Sequence, residues 1–284
     1  MSLPSLGHLQ PATVTARPVW DEYRALIEDA IANDPRTLQT RIGPSEIGTG
    51  CDACLVSKLA GVPERREAAW LPTVGKAVHS WLEEGVFLDT HSWTIDRSRF
   101  LVETTVSVGE VGGVDITGHA DLFDLHTGTV TDWKITGANT LKKAKPCQAD
   151  PARFATAFRT YHVQKHLYGY GFTRRGLQVT TVQVAFLPRN APSLREAVII
   201  SAPYDEQVAL TAIARADQWA TWLHTLGLQA TLAVAGAHTG DEYSCARFDP
   251  SAATPGRRPT GDQLSGLLAP TTPDASQGAG STAA

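Results

Sequence analysis

The sequence predicts an α/β (α+β) fold: one central mixed β-sheet flanked by helices. Three observations predict it. LVETTVSV (101–108), VDITGHADLFDL (114–125) and TVTDWKI (129–135) alternate apolar and polar residues, as half-buried strands do. A helical stretch (154–172) separates this meander from two further strand patterns at 177–187 and 196–204. The amphipathic run EQVALTAIARADQWATWLHTL (206–226) then closes the domain as a long helix.

The elements before the sheet read as helices. DEYRALIEDAIAN (21–33) has apolar residues near helical spacing. PSEIGTGCDACLVSKLAG (44–61) offers Ser45 as a start signal and Gly61 as a stop. The segment from Gly75 to Glu84 sets Val78, Trp81 and Leu82 on one helical face. The helix at 154–172 is expected to end at Gly171. Residues 1–40 read as an extension carrying one helix, and 41–249 as the main domain. Residues 250–284, small and rich in Pro and Gly, read as a disordered low-complexity tail.

Composition narrows the classes of function. The chain has 284 residues, 42% hydrophobic and 19% charged, with a formal net charge of −4. That balance suits a globular domain with a sizeable core, and excludes a uniformly basic nucleic-acid coat. No window is long and apolar enough for a membrane span, and the N-terminus lacks a signal pattern, so a soluble cytoplasmic protein is expected. Four cysteines are too few for a secreted disulfide scaffold.

The sharpest feature is GHADLFDLHTGTVTDWK (118–134). A turn at His126-Thr127-Gly128 makes opposed residue numbers sum to about 253, which sets Asp121 opposite Asp132 on one face. A bulge at Gly128 would move that register by one. Two carboxylates so placed repel unless a cation lies between them, and hard divalent ions take carboxylate oxygens. Lys134 follows Asp132 by two and shares its face, where it can orient or deprotonate a water or steady phosphoryl charge. Asp124, of opposite parity, reads as an ordinary solvated charge. By itself the trio fits either a cation site or solvated hairpin charges.

G-H-x-D, about ten residues, then D-x-K resembles the core motif of the PD-(D/E)XK nuclease superfamily. The chain is most similar there to RecB-type exonucleases related to the CRISPR-associated and phage-encoded branch. GKAVHSWLEE supplies His79 before the motif, and VQKHLYGYGF supplies Gln164 and Tyr168 after it. The resemblance covers about 44 to 248 and implies a restriction-endonuclease-like core at 41–249. It implies Mg²⁺ or Mn²⁺ held by His79, Asp121, Asp132 and the Trp133 carbonyl. It implies catalytic roles for Asp121, Asp132, Lys134, Gln164 and Tyr168, the last two sharing a helical face. The implied activity is exonucleolytic hydrolysis of phosphodiester bonds, on single-stranded DNA ends, in recombination, repair or processing. Recombination or integration proteins would be partners, and the compartment the host cytoplasm if the chain is phage-encoded. The rival reading is a DNA-end-binding or assembly component with an idle site.

CDAC sets Cys51 and Cys54 one helical turn apart, half of a metal or cluster site. The surrounding segment resembles the one that gives a single ligand to an iron–sulfur cluster in such nucleases. Those relatives add three more cysteines near the domain's end, where this chain has only Cys245. Cys147 would have to fold back to complete a 4Fe–4S cluster. Zinc, or simple buried thiols, are the alternatives.

From Lys134 to Arg189 there are ten Lys and Arg and one acid, Asp150. The expected phosphate contacts are Lys142, Lys143, Lys145, Arg153, Arg159, Lys165, Arg174 and Arg175. Tyr161, Tyr168 and Tyr170 offer faces for stacking on bases. His162 and His166 are taken as surface residues or DNA contacts.

Overall fold

A computed structural model describes residues 19–33, 42–64, 70–87, 96–237, 245 and 248. The tail read as disordered lies outside the described residues. The chain divides into a small unit (1–39 with 66–70) and a large one (40–65 with 71–284). The small unit holds helix α1 (Val19–Ala32), on which Trp20, Tyr23 and Leu26 are exposed. The remaining elements, apart from Trp70 at the start of α4, belong to the large unit.

Five strands form one mixed sheet in sequence order: β1 (Phe100–Val111), β2 (Val114–Asp124), β3 (Thr129–Thr136), β4 (Thr181–Pro188) and β5 (Val198–Pro203). Gly112 and Gly113, at φ 61° and 77°, make the two-residue turn between β1 and β2. Such a turn needs positive φ at both positions, which glycine adopts without steric cost. Beyond His126-Thr127-Gly128 the pairs are Leu122–Thr131, Phe123–Val130 and Asp124–Thr129, so the residue numbers sum to 253 as the turn predicts. β3 then pairs parallel with β4, setting Asp132 beside Val184 and Lys134 beside Phe186. β5 returns antiparallel.

The helices are α2 (Pro44–Ile47), α3 (Asp52–Leu59), α4 (Trp70–Ser80), α5 (Ala138–Ala144), α6 (Pro151–Ala157), α7 (Arg159–Arg174), α8 (Glu206–Leu226) and α9 (Leu228–Ala235). α7 packs its buried Val163, Leu167 and Phe172 on Val106, Phe123, Val130 and Val182 of the sheet. A Cβ at Gly171 would lie 2.7 Å from that of Val106, so a glycine is what lets α7 approach β1 this closely. A second apolar cluster joins α5 and α6 to Val184, Phe186, Val198 and Ile200. α8 is tied to α3 by Asp52, which accepts hydrogen bonds from Arg215 Nε (2.8 Å) and Trp219 Nε1 (2.9 Å).

Several expected boundaries differ. The stretch 44–61 holds two helices: Gly43, not Ser45, caps the first, and Cys51 starts the second. Gly61 does adopt a stop conformation, at φ 68°. The predicted 154–172 helix breaks at Phe158 (φ −133°, ψ 42°) and runs on to Arg174 rather than ending at Gly171. After Ser80 the chain widens into a π-helical turn, Trp81–Phe87, which leaves Trp81 60% exposed while Leu82 is buried. β4 starts at Thr181, and α9 was not expected. Among the described residues no helix is long and apolar enough to cross a membrane.

His166 is buried, and its Nδ1 accepts the backbone N–H of Asp205, the capping residue of α8, at 3.1 Å. That corrects its assignment to the surface: α7 is enclosed by sheet and α8 at this level. Burial, then the charges of His162 and Lys165, push its pKa down to about 3, and burial pushes that of half-buried His162 to about 4. At these two histidines the unfolded chain binds more protons than the folded one below about pH 6.5, so their contribution to stability falls as pH drops from there. Chemical denaturation between pH 7 and pH 5, where proton uptake by folded Asp121 works in the opposite sense, should show the wild type losing more stability than a His166 variant, by at most about 1.4 kcal/mol per pH unit. His166→Gln, whose amide oxygen can accept the same N–H, is the variant to compare; an equal loss in both would remove His166 as the cause.

Candidate active site

The sheet carries the site on its α7 face. Asp132 and Lys134 lie on the central strand β3, flush with Val184 and Phe186, whose side chains pack under α5 and α6. Lys134 Nζ stands 2.7 Å from Asp132 Oδ2 and 5.1 Å above the Tyr161 ring. That oxygen is buried with the ammonium at charge-assisted contact distance, and a carboxylate oxygen has lone-pair capacity for a second contact. Burial alone would lower the Lys134 pKa, but the charges of Asp132 and Asp121 outweigh it and raise it.

Asp121 comes from β2, where extension of the observed register sets it opposite Asp132. Its Oδ2 accepts the Trp133 backbone N–H at 2.6 Å, which fixes the carboxylate against β3. Burial and the neighbouring Asp132 raise its pKa to about 7, while Lys134 and His79 pull the other way. His79, near the end of α4, places Nδ1 3.6 Å from Asp121 Oδ1 and 4.0 Å from Glu103 Oε1. Burial depresses its imidazole, but Glu103 and Asp121 more than compensate, so its pKa is raised.

His79, Glu103 and Asp121 each offer a ligand atom, all within 4.8 Å of one another. Imidazole nitrogen with carboxylate oxygens is a donor set for Mg²⁺ or Mn²⁺; Asp132, opposite Asp121 and paired with Lys134, stands beside this group and not within it. Glu103 was not expected. Read straight back from the Gly112-Gly113 turn, it would face Leu122. A bulge between Ser107 and Gly109 moves the register by one and brings Glu103 to Asp121. Its φ of +41°, rare for a residue with a side chain, departs from regular strand geometry at this point.

α7 adds Gln164 and Tyr168, both buried and joined by Gln164 Nε2 donating to Tyr168 Oη at 3.1 Å. Gln164 Oε1 is buried without a hydrogen-bond partner. Burial and the Asp132 and Asp121 charges hold the Tyr168 phenol well above its ordinary pKa, so it is a neutral donor. Trp133 points to the opposite face, where its ring stacks on Phe87 at 6.0 Å, and only its backbone is available to the site.

Other expected residues lie elsewhere. Asp124 is not solvated: it is buried and paired with Arg99, whose Nε lies 3.2 Å away, and it accepts the His126 N–H at 3.0 Å. Lys165 is fully buried and cannot meet DNA; its Nζ sits 4.9 Å from the Phe154 ring centre and 3.5 Å from the Val182 carbonyl. Burial lowers its pKa to about 8, against the pull of Asp132. Lys142, Lys143, Lys145, Arg153 and Arg159 are exposed at the α5–α6 end of the domain. Arg174 and Arg175 are exposed at the other end of α7, where Arg174 Nη1 donates to Ser107 Oγ at 2.7 Å. The expected single basic face is thus two, separated by a helix of about 24 Å. Tyr161 and Tyr170 are half-buried and Tyr168 is buried, the first two beneath Lys134 and Arg174.

Three cysteines converge. Cys245 Sγ lies 3.5 Å from Cys54 Sγ and 3.8 Å from Cys51 Sγ, in an apolar pocket of Val62 and Phe248. Burial, then the adjoining thiols, push the Cys54 pKa up. Cys147 does not join them. It is buried with Phe154 and Phe186 in another cluster, its Sγ 3.7 Å from the Lys143 carbonyl.

No protein-family model and no curated protein matches the chain. Among solved structures it is similar to a phage-related exonuclease from Haemophilus somnus 129PT, at 12% identity and a TM-score of 0.38. The match covers 55% of this chain and 72% of that one.

Proposed function

We propose that the chain is a divalent-metal-dependent deoxyribonuclease that hydrolyses phosphodiester bonds at DNA ends. The observation that carries this reading is the convergence of Asp121, Asp132, Lys134 and His79, from two strands and a helix, on one buried spot. Such a concentration of carboxylates suits a cation, and the ammonium beside it suits a phosphate. His79, Glu103, Asp121 and Asp132 would hold Mg²⁺ or Mn²⁺, and the Trp133 carbonyl is a further oxygen on the same strand. When bound, the ion supplies Lewis-acid polarisation of a phosphoryl oxygen and acidifies a water. Lys134 donates to the phosphoryl oxygens and steadies their charge. Tyr168 fixes the Gln164 amide, leaving its oxygen to accept from the attacking water. The exposed Lys142, Lys143, Lys145, Arg153 and Arg159 contact phosphates without reading sequence. Action at ends, preference for single strands, and a place in recombination or repair rest on the sequence resemblance alone.

Cys51, Cys54 and Cys245 form a separate centre for a thiophilic metal, zinc or an iron–sulfur cluster, that ties residue 245 to α3. Cys147 is not a ligand. Anaerobically purified protein should contain zinc or iron by elemental analysis, iron giving a brown colour, and Cys54→Ser should lose the metal. Metal-free protein with unchanged stability in that variant would leave only buried thiols.

A time course on end-labelled single- and double-stranded DNA with Mn²⁺ tests the nuclease. Asp132→Ala and Lys134→Ala should each cut the rate by about a hundredfold or more. Undiminished Mn²⁺-dependent degradation in either would show the site to be elsewhere, and DNA binding without cleavage by the wild type would favour an idle site.

A further inference from the structure

β3 and β4 run parallel, and where they end the chain parts in two directions, leaving a crevice at their carboxyl edge. The last pair is Thr136 with Pro188, and the Arg189 N–H donates to the Thr136 carbonyl at 2.8 Å. From there β3 passes through Gly137 into α5, while β4 leads into an exposed loop. Crevices of this kind, outside the carboxyl ends of parallel strands, are where open α/β sheets take their ligands. Here it encloses about 500 Å³.

Its lining is selective in charge. Thr136, Asn139, Thr140, Arg189 and Asn190 provide hydroxyls, amides and a guanidinium, and no carboxylate lines it. Arg189 forms no ion pair among the described residues. Its side chain lies across Gly137, where an added Cβ would stand 3.0 Å from Nη2. Thr136 Oγ1 is buried and takes no hydrogen bond. That hydroxyl is out of a ligand's reach; it is the exposed Arg189 guanidinium beside the neutral amides of Asn139 and Asn190 that suits a phosphate oxygen group.

The position says which phosphate. Thr136 follows Lys134 by two residues on the same strand, about 6–7 Å further along. A DNA strand that ran along β3 with its scissile phosphate at Lys134 would carry its neighbouring phosphate over this crevice. We propose that the crevice is a subsite for the backbone phosphate next to the scissile one, with Arg189 as its positioning residue. This rests on the nuclease reading for the identity of the strand, and on the crevice's own chemistry for the phosphate.

The test is binding, measured without turnover. Fluorescence anisotropy of a labelled oligonucleotide in EDTA, at several salt concentrations, gives affinity and the number of phosphates engaged. Arg189→Ala should weaken binding roughly tenfold and flatten the salt slope by about 0.7, the value for one single-strand phosphate contact. Arg189→Lys should keep the slope. Neutralising one linkage at a time with methylphosphonate should reveal a single linkage that matters to the wild type and no longer matters to Arg189→Ala. An absence of oligonucleotide binding, or an identical linkage profile and salt slope in wild type and Arg189→Ala, overturns the subsite. Cleavage that persists with such an unchanged profile leaves the nuclease standing without it. Arg189-dependent binding with no cleavage does the reverse.

Discussion

Two carboxylates opposed on the inner face of a sheet are the constraint around which the domain is arranged. At about 5 Å and an effective dielectric constant of 20, full charges on Asp121 and Asp132 repel by about 3 kcal/mol. Lys134 offsets this from β3, His79 from α4, and the Trp133 N–H by direct donation to Asp121. Proton uptake offsets the remainder, since burial and the Asp132 charge hold Asp121 at about 7. In the reading proposed above a cation would relieve this repulsion, and the elements around the pair fix its geometry. The Arg99–Asp124 pair holds the turn that sets the β2–β3 register. Gly171 lets α7 lie close enough on β1 to close the site from above with Gln164 and Tyr168.

How much of this was legible in the sequence differs by element, for physical reasons. The β2–β3 hairpin could be read because a short turn fixes the register arithmetically, and the face of every later side chain follows from it. Glu103 could not, because its place depends on a bulge at Ser107–Gly109 that leaves no unambiguous mark in an alternating strand. The breaks at Gly48 and Phe158 were hidden because apolar spacing continues across them. Lys165 and His166 were misplaced by the premise that charged and imidazole side chains on a helix seek water. α7 is covered on most sides, and its polar residues find carbonyls, rings and a cap instead.

The cysteines show the same limit from another side. The CxxC spacing marked Cys51 and Cys54 as half of a site, which Cys245 and a folded-back Cys147 would together have completed as a 4Fe–4S cluster. Tertiary structure chooses Cys245, which is almost two hundred residues away in the chain, and leaves Cys147 in the aromatic cluster under α6. The basic residues likewise formed one segment in sequence and two regions in space. The group at the α5–α6 end stands on the same side as the carboxyl edge of β3, where Lys134 and the Arg189 crevice lie in succession.

The central claim is that the His79–Glu103–Asp121–Asp132 cluster is a cation site. Calorimetric titration of the metal-stripped protein with Mn²⁺, paired with thermal unfolding, tests it most directly. Mn²⁺ should bind with a rise in stability, about 2.7 kcal/mol at a hundredfold excess over Kd. Asp121→Asn, which removes one of the two opposed charges, should make the metal-free protein more stable and abolish the response to Mn²⁺. Equal Mn²⁺ binding by wild type and Asp121→Asn, or none by the wild type, would contradict it.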